Sequence, residues 1–251
     1  MSQRIDWNST KAAIYRASLG YLRAVRDVDY VDIDLLIGID RQKSQLIENT
    51  QNFINNKGFN HALLWGERGC GKSSLIKAVF TSFAKQNLRI IEIGVDDLGG
   101  LEQILTQIRE YGEYKFIIFC DDLSFDAGDK SYKHLKPLLE GSIEKPPTNV
   151  VLYATSNRRH IVSESMSDNA IHKKEEVDEK LSLSDRFGLW ISFYQGSFKE
   201  YLDIVDSYFK EYKGNRDELH LKARQYAMLR ASRSGRVAKQ FYESYAKNSE
   251  I

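Results

Sequence analysis

A glycine-rich segment, GERGCGKSS, restricts the possible folds of this chain more than any other part of its sequence. Gly66 is followed by four residues and then by Gly71, Lys72 and Ser73, and Gly69 adds a third glycine between them. The apolar run HALLW precedes the segment, and apolar residues at helical spacing follow it. Glycines at this spacing between a strand and a helix are typical of a loop that binds phosphate groups.

Each residue type in this loop has an expected role. Glycines let the backbone turn tightly and bring its N–H groups to the phosphates, where a Cβ atom would stand in the way. The loop amides and the positive end of the following helix would hold a β-phosphate, and Lys72 would reach the β- and γ-phosphate oxygens. Ser73 would offer its hydroxyl to Mg²⁺. The predicted cofactor-binding residues of the loop are Gly66, Glu67, Arg68, Gly69, Cys70, Gly71, Lys72, Ser73 and Ser74. The sequence therefore predicts a site for a nucleoside triphosphate, with ATP and Mg²⁺ as the expected cofactors.

The run FIIFCDD supplies the acidic residues that such a loop requires. Asp121 follows an apolar stretch that ends with Cys120, so it is expected at the end of a buried strand, where its carboxylate would hold the metal ion together with Ser73. Asp122 is the candidate for the group that polarises the attacking water. An acidic turn after a buried strand is common in other proteins, and it is the phosphate loop that gives this one a predicted role.

Short apolar runs alternate with helical patterns over the middle of the chain, which predicts a parallel sheet covered by helices on both faces. The expected strands are residues 61–65, 90–93, 116–120, 150–157 and 188–194. The expected helices between them are residues 41–54, 72–85, 101–108 and 134–139. The fold class predicted is therefore α/β, with five parallel strands.

The two ends of the chain carry only helical patterns. Between Thr10 and Arg26 the apolar residues recur at helical spacing, which predicts an amphipathic helix in an N-terminal segment of residues 1–33. After residue 196 three helical stretches follow, divided near Gly214 and Gly235. We therefore divide the rest of the chain into a nucleotide-binding α/β domain of residues 34–196 and a small helical domain of residues 197–251.

The charge balance excludes a strong overall attraction to nucleic acid or to membranes. Lys and Arg total 36, Asp and Glu total 35, and the formal net charge is +1. Residues 206–251 hold ten Lys or Arg against six Asp or Glu. A solvated helix face is favoured for this local excess over a surface that binds nucleic acid.

The remaining composition indicates the compartment. The two cysteines do not form the framework of a disulfide-stapled secreted domain, which favours a reducing environment. The sequence has no apolar run of the roughly 18 residues that a membrane span needs. The start, MSQRIDWNST, lacks the apolar core of a signal peptide. A cytoplasmic protein without a membrane partner is expected.

Six segments, taken in order, resemble the AAA+ ATPases and, among these, a group of uncharacterised bacterial members. They are LIGIDRQ with ENTQNF, LLWGERGCGKSSLIKA, FCDDLSFD, ATSNRRH, LSDRFGLWISFY and SGRVAKQF. The resemblance covers residues 34–246. It implies a P-loop NTPase domain with a five-stranded parallel sheet, followed by a small helical lid, with ATP bound in the crevice between the two.

The resemblance also implies roles for residues outside the phosphate loop. The stretch of residues 36–41, with Ile37, is similar to the one that contacts adenine in AAA+ proteins. Asn157 matches the polar sensor at the tip of the fourth strand, which orients water beside the γ-phosphate. Arg236 is similar to the second sensor, which reaches from the lid to the phosphates.

A further role that the resemblance implies, again for an arginine, requires a homo-oligomer. Arg186, in LSDRFG, resembles the arginine that AAA+ subunits insert into the site of a neighbouring subunit. Arg158 and Arg159, which follow the sensor asparagine, are rivals for this role. The client of such an assembly, a protein or a nucleic acid, is not indicated by the sequence.

One departure from the family pattern concerns the catalytic base. AAA+ proteins have Asp followed by Glu, whereas this chain has Asp121 and Asp122, and the second side chain is one methylene shorter. A displacement of about 1 Å can slow a positioned reaction on the order of 100-fold. Asp122 is then a weak base, or Asp126 contributes from the following turn.

Three functions follow, in order of preference. The first is an ATPase that converts ATP to ADP and phosphate and uses the reaction to move the lid and a neighbouring subunit. The alternative is an ATP-dependent binding module or loader with slow or no turnover. A P-loop kinase for a small metabolite is less favoured, because the helical end with Arg236 suits a sensor lid better than an acceptor-binding cap.

Overall fold

The computed structural model describes residues 5–125, 129–141, 143–158 and 185–246, and its centre is a seven-stranded sheet. The strands are β1 (Ala12–Arg16), β2 (Tyr21–Ala24), β3 (Ala62–Gly66), β4 (Leu88–Ile93), β5 (Lys115–Cys120), β6 (Val150–Ser156) and β7 (Leu189–Phe193). Their order across the sheet is β2-β1-β4-β5-β6-β3-β7. Only β2 runs antiparallel to its neighbour, and all other pairs in this sheet are parallel.

Helices cover both faces of the sheet and complete the carboxyl-terminal end. They are α1 (Asp40–Ile54), α2 (Lys72–Phe83), α3 (Leu101–Arg109), α4 (Lys136–Leu139), α5 (Phe198–Tyr208), α6 (Arg216–Leu229) and α7 (Gly235–Ala246). Apolar residues of α1 and α2 form one core with one face of the sheet, and those of α3 and α4 form a second core with the other face. No helix in the described part of the chain combines the length and the hydrophobicity that crossing a membrane demands.

The central strands explain why the sequence pattern was informative. Every residue of β6 is buried, and all but the first of β5 are buried. Strands buried on both faces are nearly continuous apolar runs, as parallel sheets between helices require. The five predicted strands are all present, and the helices between them begin and end close to the predicted residues.

The N-terminal prediction was wrong, and the sheet has seven strands instead of five. The segment expected to form a helix contains β1 and β2, joined by a turn at Gly20, where φ is +68°. Tyr15 pairs with Leu22 across this hairpin, and both are buried, while Leu19 in the turn is 43% exposed. The apolar residues of this short hairpin happen to recur at a spacing that also fits one face of a helix. The pairing that decides the structure is with β4, more than 70 residues later in the chain, for example Ala13 with Ile91.

The three C-terminal helices, α5 to α7, have a core of their own. Its buried members include Tyr201, Val205, Leu219 and Phe241. Ser197 begins α5 with a capping box, because its hydroxyl accepts from the amide of Glu200 and the Glu200 carboxylate accepts from the Ser197 amide. The chain passes from β7 to α5 through residues 194–197, and the proposed domain boundary falls in this connection.

A neutral histidine joins the start of β3 to its neighbours. The Nδ1 atom of His61 accepts a hydrogen bond from the amide of Leu152 in β6 at 3.0 Å. Burial lowers the pKa of His61 to about 4, against an opposing contribution from a hydrogen bond with the backbone of Leu138. Protonation at Nδ1 would remove the acceptor that Leu152 uses, so the folded state favours the neutral ring.

We predict that His61 makes the protein less stable in mild acid. Its folded pKa of about 4 lies below the ordinary 6.5, so its stabilising contribution is complete above pH 6.5 and is lost as pH falls toward 4. Between about pH 7 and about pH 5 the free energy of unfolding should fall by about 2 kcal/mol on this account. Urea titrations of the wild type and of His61→Gln at both pH values measure it. The variant should be less stable at neutral pH but lose less on acidification, and equal losses would contradict the assignment.

Candidate functional site

The candidate site lies where the carboxyl ends of β3, β5 and β6 meet the C-terminal helices. A cavity of about 900 Å³ occupies this position. It is lined by residues 35–39, by the phosphate loop from Arg68 to Ser74, by Asp121 and Asp122, and by residues of α5 and α7. Crevices at the carboxyl ends of parallel strands are where open α/β sheets bind ligands.

The phosphate loop adopts a backbone conformation that requires its glycines. The φ angles of Gly66, Gly69 and Gly71 are +128°, +78° and +92°, a region that other residues rarely adopt. A Cβ atom on Gly66 would collide with the carbonyl of Phe193 in β7. Gly71 begins α2 without any side-chain cap, so its first amides are left for another acceptor. The loop is therefore a cradle of backbone N–H groups at a helix N-terminus.

Lys72 is buried and bonded to the loop itself. Its Nζ donates to the carbonyls of Gly66 and Glu67, both at 2.8 Å, and to Oδ1 of Asn157 at 3.1 Å. Burial lowers the pKa of Lys72, while the nearby Asp121 and Asp122 oppose this effect. An ammonium held by neutral carbonyls at the edge of a cavity is a suitable partner for an anion.

Ser73 and Asp121, which the sequence predicts to bind a metal together, are in direct contact. Ser73 Oγ donates to Oδ1 of Asp121 at 2.6 Å, which joins the start of α2 to the end of β5. A hydroxyl and a carboxylate oxygen are ligands of the type that Mg²⁺ prefers. The donor set therefore fits a magnesium ion, and the glycine cradle beside it fits the phosphates of a nucleotide.

Asp122 and Asn157 meet at the same edge of the sheet. Asn157 Nδ2 donates to Oδ1 of Asp122 at 2.6 Å, while its Oδ1 accepts from Lys72, so its two partners define the orientation of the amide. Asp122 has a φ of +55°, which is uncommon for a residue other than glycine. One continuous chain of hydrogen bonds thus connects the loop lysine to the candidate base.

The helical end approaches the phosphate loop through the start of α7. The amide of Arg236 donates to the carbonyl of Gly69 at 3.4 Å. A Cβ atom on Gly69 would lie 3.1 Å from Cβ of Ser234 and 3.2 Å from Cβ of Arg236, so the two segments are in close contact. The Arg236 side chain lines the cavity, and within the described ranges nothing forms an ion pair with its guanidinium.

Apolar and aromatic side chains line the other part of the cavity. Leu36 and Ile37 line this part, and α5 contributes Ile204 and Tyr208. The ring of Tyr208 stacks on Tyr242 of α7, with centroids 5.5 Å apart. A flat apolar group such as a purine base suits this region, which lies in the same cavity as the phosphate loop.

Arg186 stands apart from these residues. It does not line the cavity, and its Nε lies 3.8 Å from Oε1 of Glu140 on the surface. Arg158, its rival for the role in a neighbouring subunit, is exposed next to Asn157. Arg159, the second rival, and Asp126, the candidate helper of Asp122, lie outside the described residues. The structure therefore brings the phosphate loop, Asp121, Asp122, Asn157, Ile37 and Arg236 together, and leaves Arg186 outside that group.

Several residues of this site were not predicted. Thr155, Ser234 and Tyr208 all line the cavity. Thr155 belongs to the apolar run of β6, and no spacing rule distinguishes it there. Ser234 is the first residue of the segment SGRVAKQF and directly precedes α7, and a serine in that position is a capping signal that could have identified it.

Comparison with known proteins begins with the family. A sequence profile described as "Protein of unknown function (DUF815)" matches residues 8–249, which is nearly the whole chain. The chain belongs to the DUF815 family. A search of curated proteins gave no match to this DUF815 chain.

Solved structures similar to this DUF815 protein include RuvB from Thermotoga maritima. A point mutant of RuvB has a TM-score of 0.50 and 14% identity, with 86% of this chain and 72% of that chain covered. The RuvB Holliday junction branch migration motor has a TM-score of 0.49 and 15% identity, with 85% and 71% covered. The DUF815 chain therefore has the fold of RuvB, an AAA+ P-loop protein, as the sequence resemblance predicted. At this level of identity the similarity concerns the fold alone.

Proposed function

We propose that this DUF815 protein is an ATPase that binds ATP with Mg²⁺ and hydrolyses it to ADP and phosphate. The observation that carries the proposal is the hydrogen bond between Ser73 and Asp121, because it joins a glycine cradle for phosphate to a carboxylate suited to a metal. Asp122 and Asn157 lie beside this pair. A phosphate-binding loop, a metal ligand and a candidate base thus share one cavity.

Binding of the triphosphate would use groups that the fold leaves available. The backbone amides of Gly69 to Ser74, at the start of α2, would donate hydrogen bonds to the phosphate oxygens. Lys72 would exchange its bonds to the Gly66 and Glu67 carbonyls for bonds to phosphate. Such bonds between charged groups are stronger than the ones they replace. Arg236 would contact the phosphates from α7, and Ile37 would contact the base.

Ser73 and Asp121 would hold the metal, which supplies charge neutralisation at the phosphate oxygens. Asp122 would orient and polarise the attacking water, and Asn157 would hold both this carboxylate and the water in place. Since Asn157 already bonds to Asp122 at 2.6 Å, the pair needs little rearrangement. In this proposal the residues position the reactants, which is the main protein contribution to phosphoryl transfer.

Arg186 suits a role in a second subunit. It lies outside its own cavity and, among the described residues, pairs with Glu140 at 3.8 Å on the surface, and a surface pair of this kind contributes little stability. An arginine supplied across an interface would be available without disturbing the fold. We therefore propose a homo-oligomer in which Arg186 contacts the site of a neighbouring subunit. The client, a protein or a nucleic acid, stays open.

Slow turnover is the alternative, and one observation favours it. Asp122 is shorter than the usual glutamate, and one oxygen of its carboxylate, Oδ1, is already engaged by Asn157. The protein would then act as a binding module or loader that responds to ATP and rarely hydrolyses it. A thermal shift with ATP but no phosphate release would select this function over the ATPase.

Replacement of Lys72 should abolish nucleotide binding. ATP with Mg²⁺ at 100 times its dissociation constant should stabilise the wild type by about 2.7 kcal/mol, and Lys72→Ala should lose this shift in thermal unfolding. The matched control is Lys77→Ala, which removes a lysine from the same helix that pairs with Asp29 outside the cavity. An unchanged shift in Lys72→Ala would place the nucleotide elsewhere.

Replacement of Asp122 should separate binding from hydrolysis. Asp122→Asn keeps an oxygen for Asn157 but removes the carboxylate, so phosphate release should fall about 100-fold or more while the ATP thermal shift stays. Asp96→Asn, an exposed carboxylate outside the cavity, is the control. Equal phosphate release by Asp122→Asn and the wild type would show that another group is the base. The same variant, locked with ATP, is suited to capture of the client.

Replacement of Arg186 should slow a reaction that depends on assembly. If Arg186 acts in a neighbouring subunit, ATPase activity per molecule should rise with protein concentration, and Arg186→Ala should lower it by about 10³-fold or more. Arg109→Ala is the matched control, because Arg109 forms a similar exposed pair with Glu144 at 3.2 Å. Activity that is independent of concentration and unharmed in Arg186→Ala would rule out this role.

A further inference from the structure

We propose that Thr155 is a positioning residue that fixes both acidic residues of the site for metal binding and hydrolysis. Thr155 lies in β6, between β3 with the phosphate loop and β5 with the acidic pair. It is 2% exposed. The inference rests on the proposed function and adds a residue that neither the sequence motifs nor the comparisons assign.

The hydroxyl of Thr155 makes two hydrogen bonds that reach consecutive residues of the site. Oγ1 donates to Oδ1 of Asp121 at 2.5 Å and accepts from the amide of Asp122 at 2.9 Å. A hydroxyl has one proton to donate and lone pairs to accept, so both bonds form at once. One side chain therefore sets the carboxylate of the metal ligand and the backbone of the candidate base.

The backbone of Thr155 adds a third contact. Its carbonyl accepts from the amide of Leu123 at 2.7 Å. The chain after β5 is thus bonded to Thr155 at two successive amides, and between them Asp122 adopts its φ of +55°. A backbone in this sparsely populated region persists only when its surroundings hold it. A substitution of Thr155 can remove the bond from the Asp122 amide to the hydroxyl, whereas the bond from the Leu123 amide to the backbone carbonyl would remain.

Two hydroxyl groups donate hydrogen bonds to the Asp121 carboxylate, and this orients it for binding a metal. Ser73 and Thr155 both donate to the same oxygen, Oδ1. Within the described residues no donor contacts Oδ2, the second oxygen. Two donors on one oxygen restrict rotation of the carboxylate and leave the other oxygen available to a hydrated cation. Groups that orient a metal ligand in this way affect metal affinity or activity by about 10- to 100-fold when they are replaced.

Replacing Thr155 with valine tests the effect of its hydroxyl bonds separately from the effect of its packing in the strand. Thr155→Val keeps the size and branching that a buried strand favours and keeps the carbonyl bond to Leu123, but it loses both hydroxyl bonds. Thr155→Ser keeps the hydroxyl and should restore function. Thr50→Val is the matched control, because Thr50 is also fully buried and its hydroxyl makes two bonds, at 2.7 Å and 2.8 Å, away from the cavity.

The experiment measures ATP affinity by calorimetry, first with Mg²⁺ and then with EDTA, for the wild type and the three variants. Thr155→Val should reduce the gain in affinity that Mg²⁺ provides by about 10-fold or more and leave the affinity in EDTA unchanged. Where phosphate release is measured, kcat should fall about 10- to 100-fold, and KM for ATP with Mg²⁺ should rise along with the lost affinity. Thr155→Ser should recover these quantities. Thr50→Val should lower only the temperature of unfolding.

The outcomes separate the two proposals. A wild type that gains affinity from Mg²⁺, together with a Thr155→Val that gains as much, would overturn the positioning role and leave the proposed function in place. A loss of affinity in EDTA equal to the loss in Mg²⁺ would also overturn it, since damage to the fold would then be the cause. A wild type with no affinity for ATP in either condition would overturn the proposed function and this inference together.

Discussion

The parallel pairing of β6 with both β3 and β5 is the constraint on which the site depends. Leu64 pairs with Thr155 on one side, and Cys120 pairs with Ala154 on the other. This register places the phosphate loop, the acidic pair and Asn157 at one edge of the sheet, although they are far apart along the chain. Because the strands are buried on both faces, a shift in register by one residue would exchange their side chains between the two cores and disrupt the packing of both. The packing of the core therefore determines the relative positions of the residues in the site.

Hydrogen bonds within the site hold its charged groups in a defined resting state. The ammonium of Lys72 uses two loop carbonyls and Asn157, and Asn157 in turn holds Asp122. Burying an ammonium costs free energy, and burial indeed lowers the pKa of Lys72. A phosphate group offers stronger partners than neutral carbonyls do, so an anionic ligand would relieve this cost. The resting network thus favours ligand binding without requiring the loop to fold around the ligand.

The sequence predicted the parts of the fold that depend on local patterns. The phosphate loop, the buried strands and the three C-terminal helices all carry glycine, apolar or capping signals within a few residues. The N-terminal hairpin was missed because its structure depends on pairing with β4, which no short window of sequence contains. Thr155 was missed for a related reason, since its hydroxyl matters only through residues of a neighbouring strand. Arg186 was proposed by resemblance alone, because a contact with a neighbouring subunit leaves no packing pattern within its own chain.

The aromatic core of the C-terminal helices has a mechanical consequence. Phe209 at the end of α5 contacts Phe241, Tyr242 and Tyr245 of α7, with ring centroids between 5.0 Å and 5.8 Å apart. Interlocked rings of this kind do not slide past each other easily, so the two helices should rotate as one rigid lever. Tyr208 of α5 lines the cavity, and Arg236 of α7 lines it beside the phosphate loop, where its amide bonds to the carbonyl of Gly69. In the proposed ATPase, a movement of α7 at the phosphates would therefore also move α5 at the base.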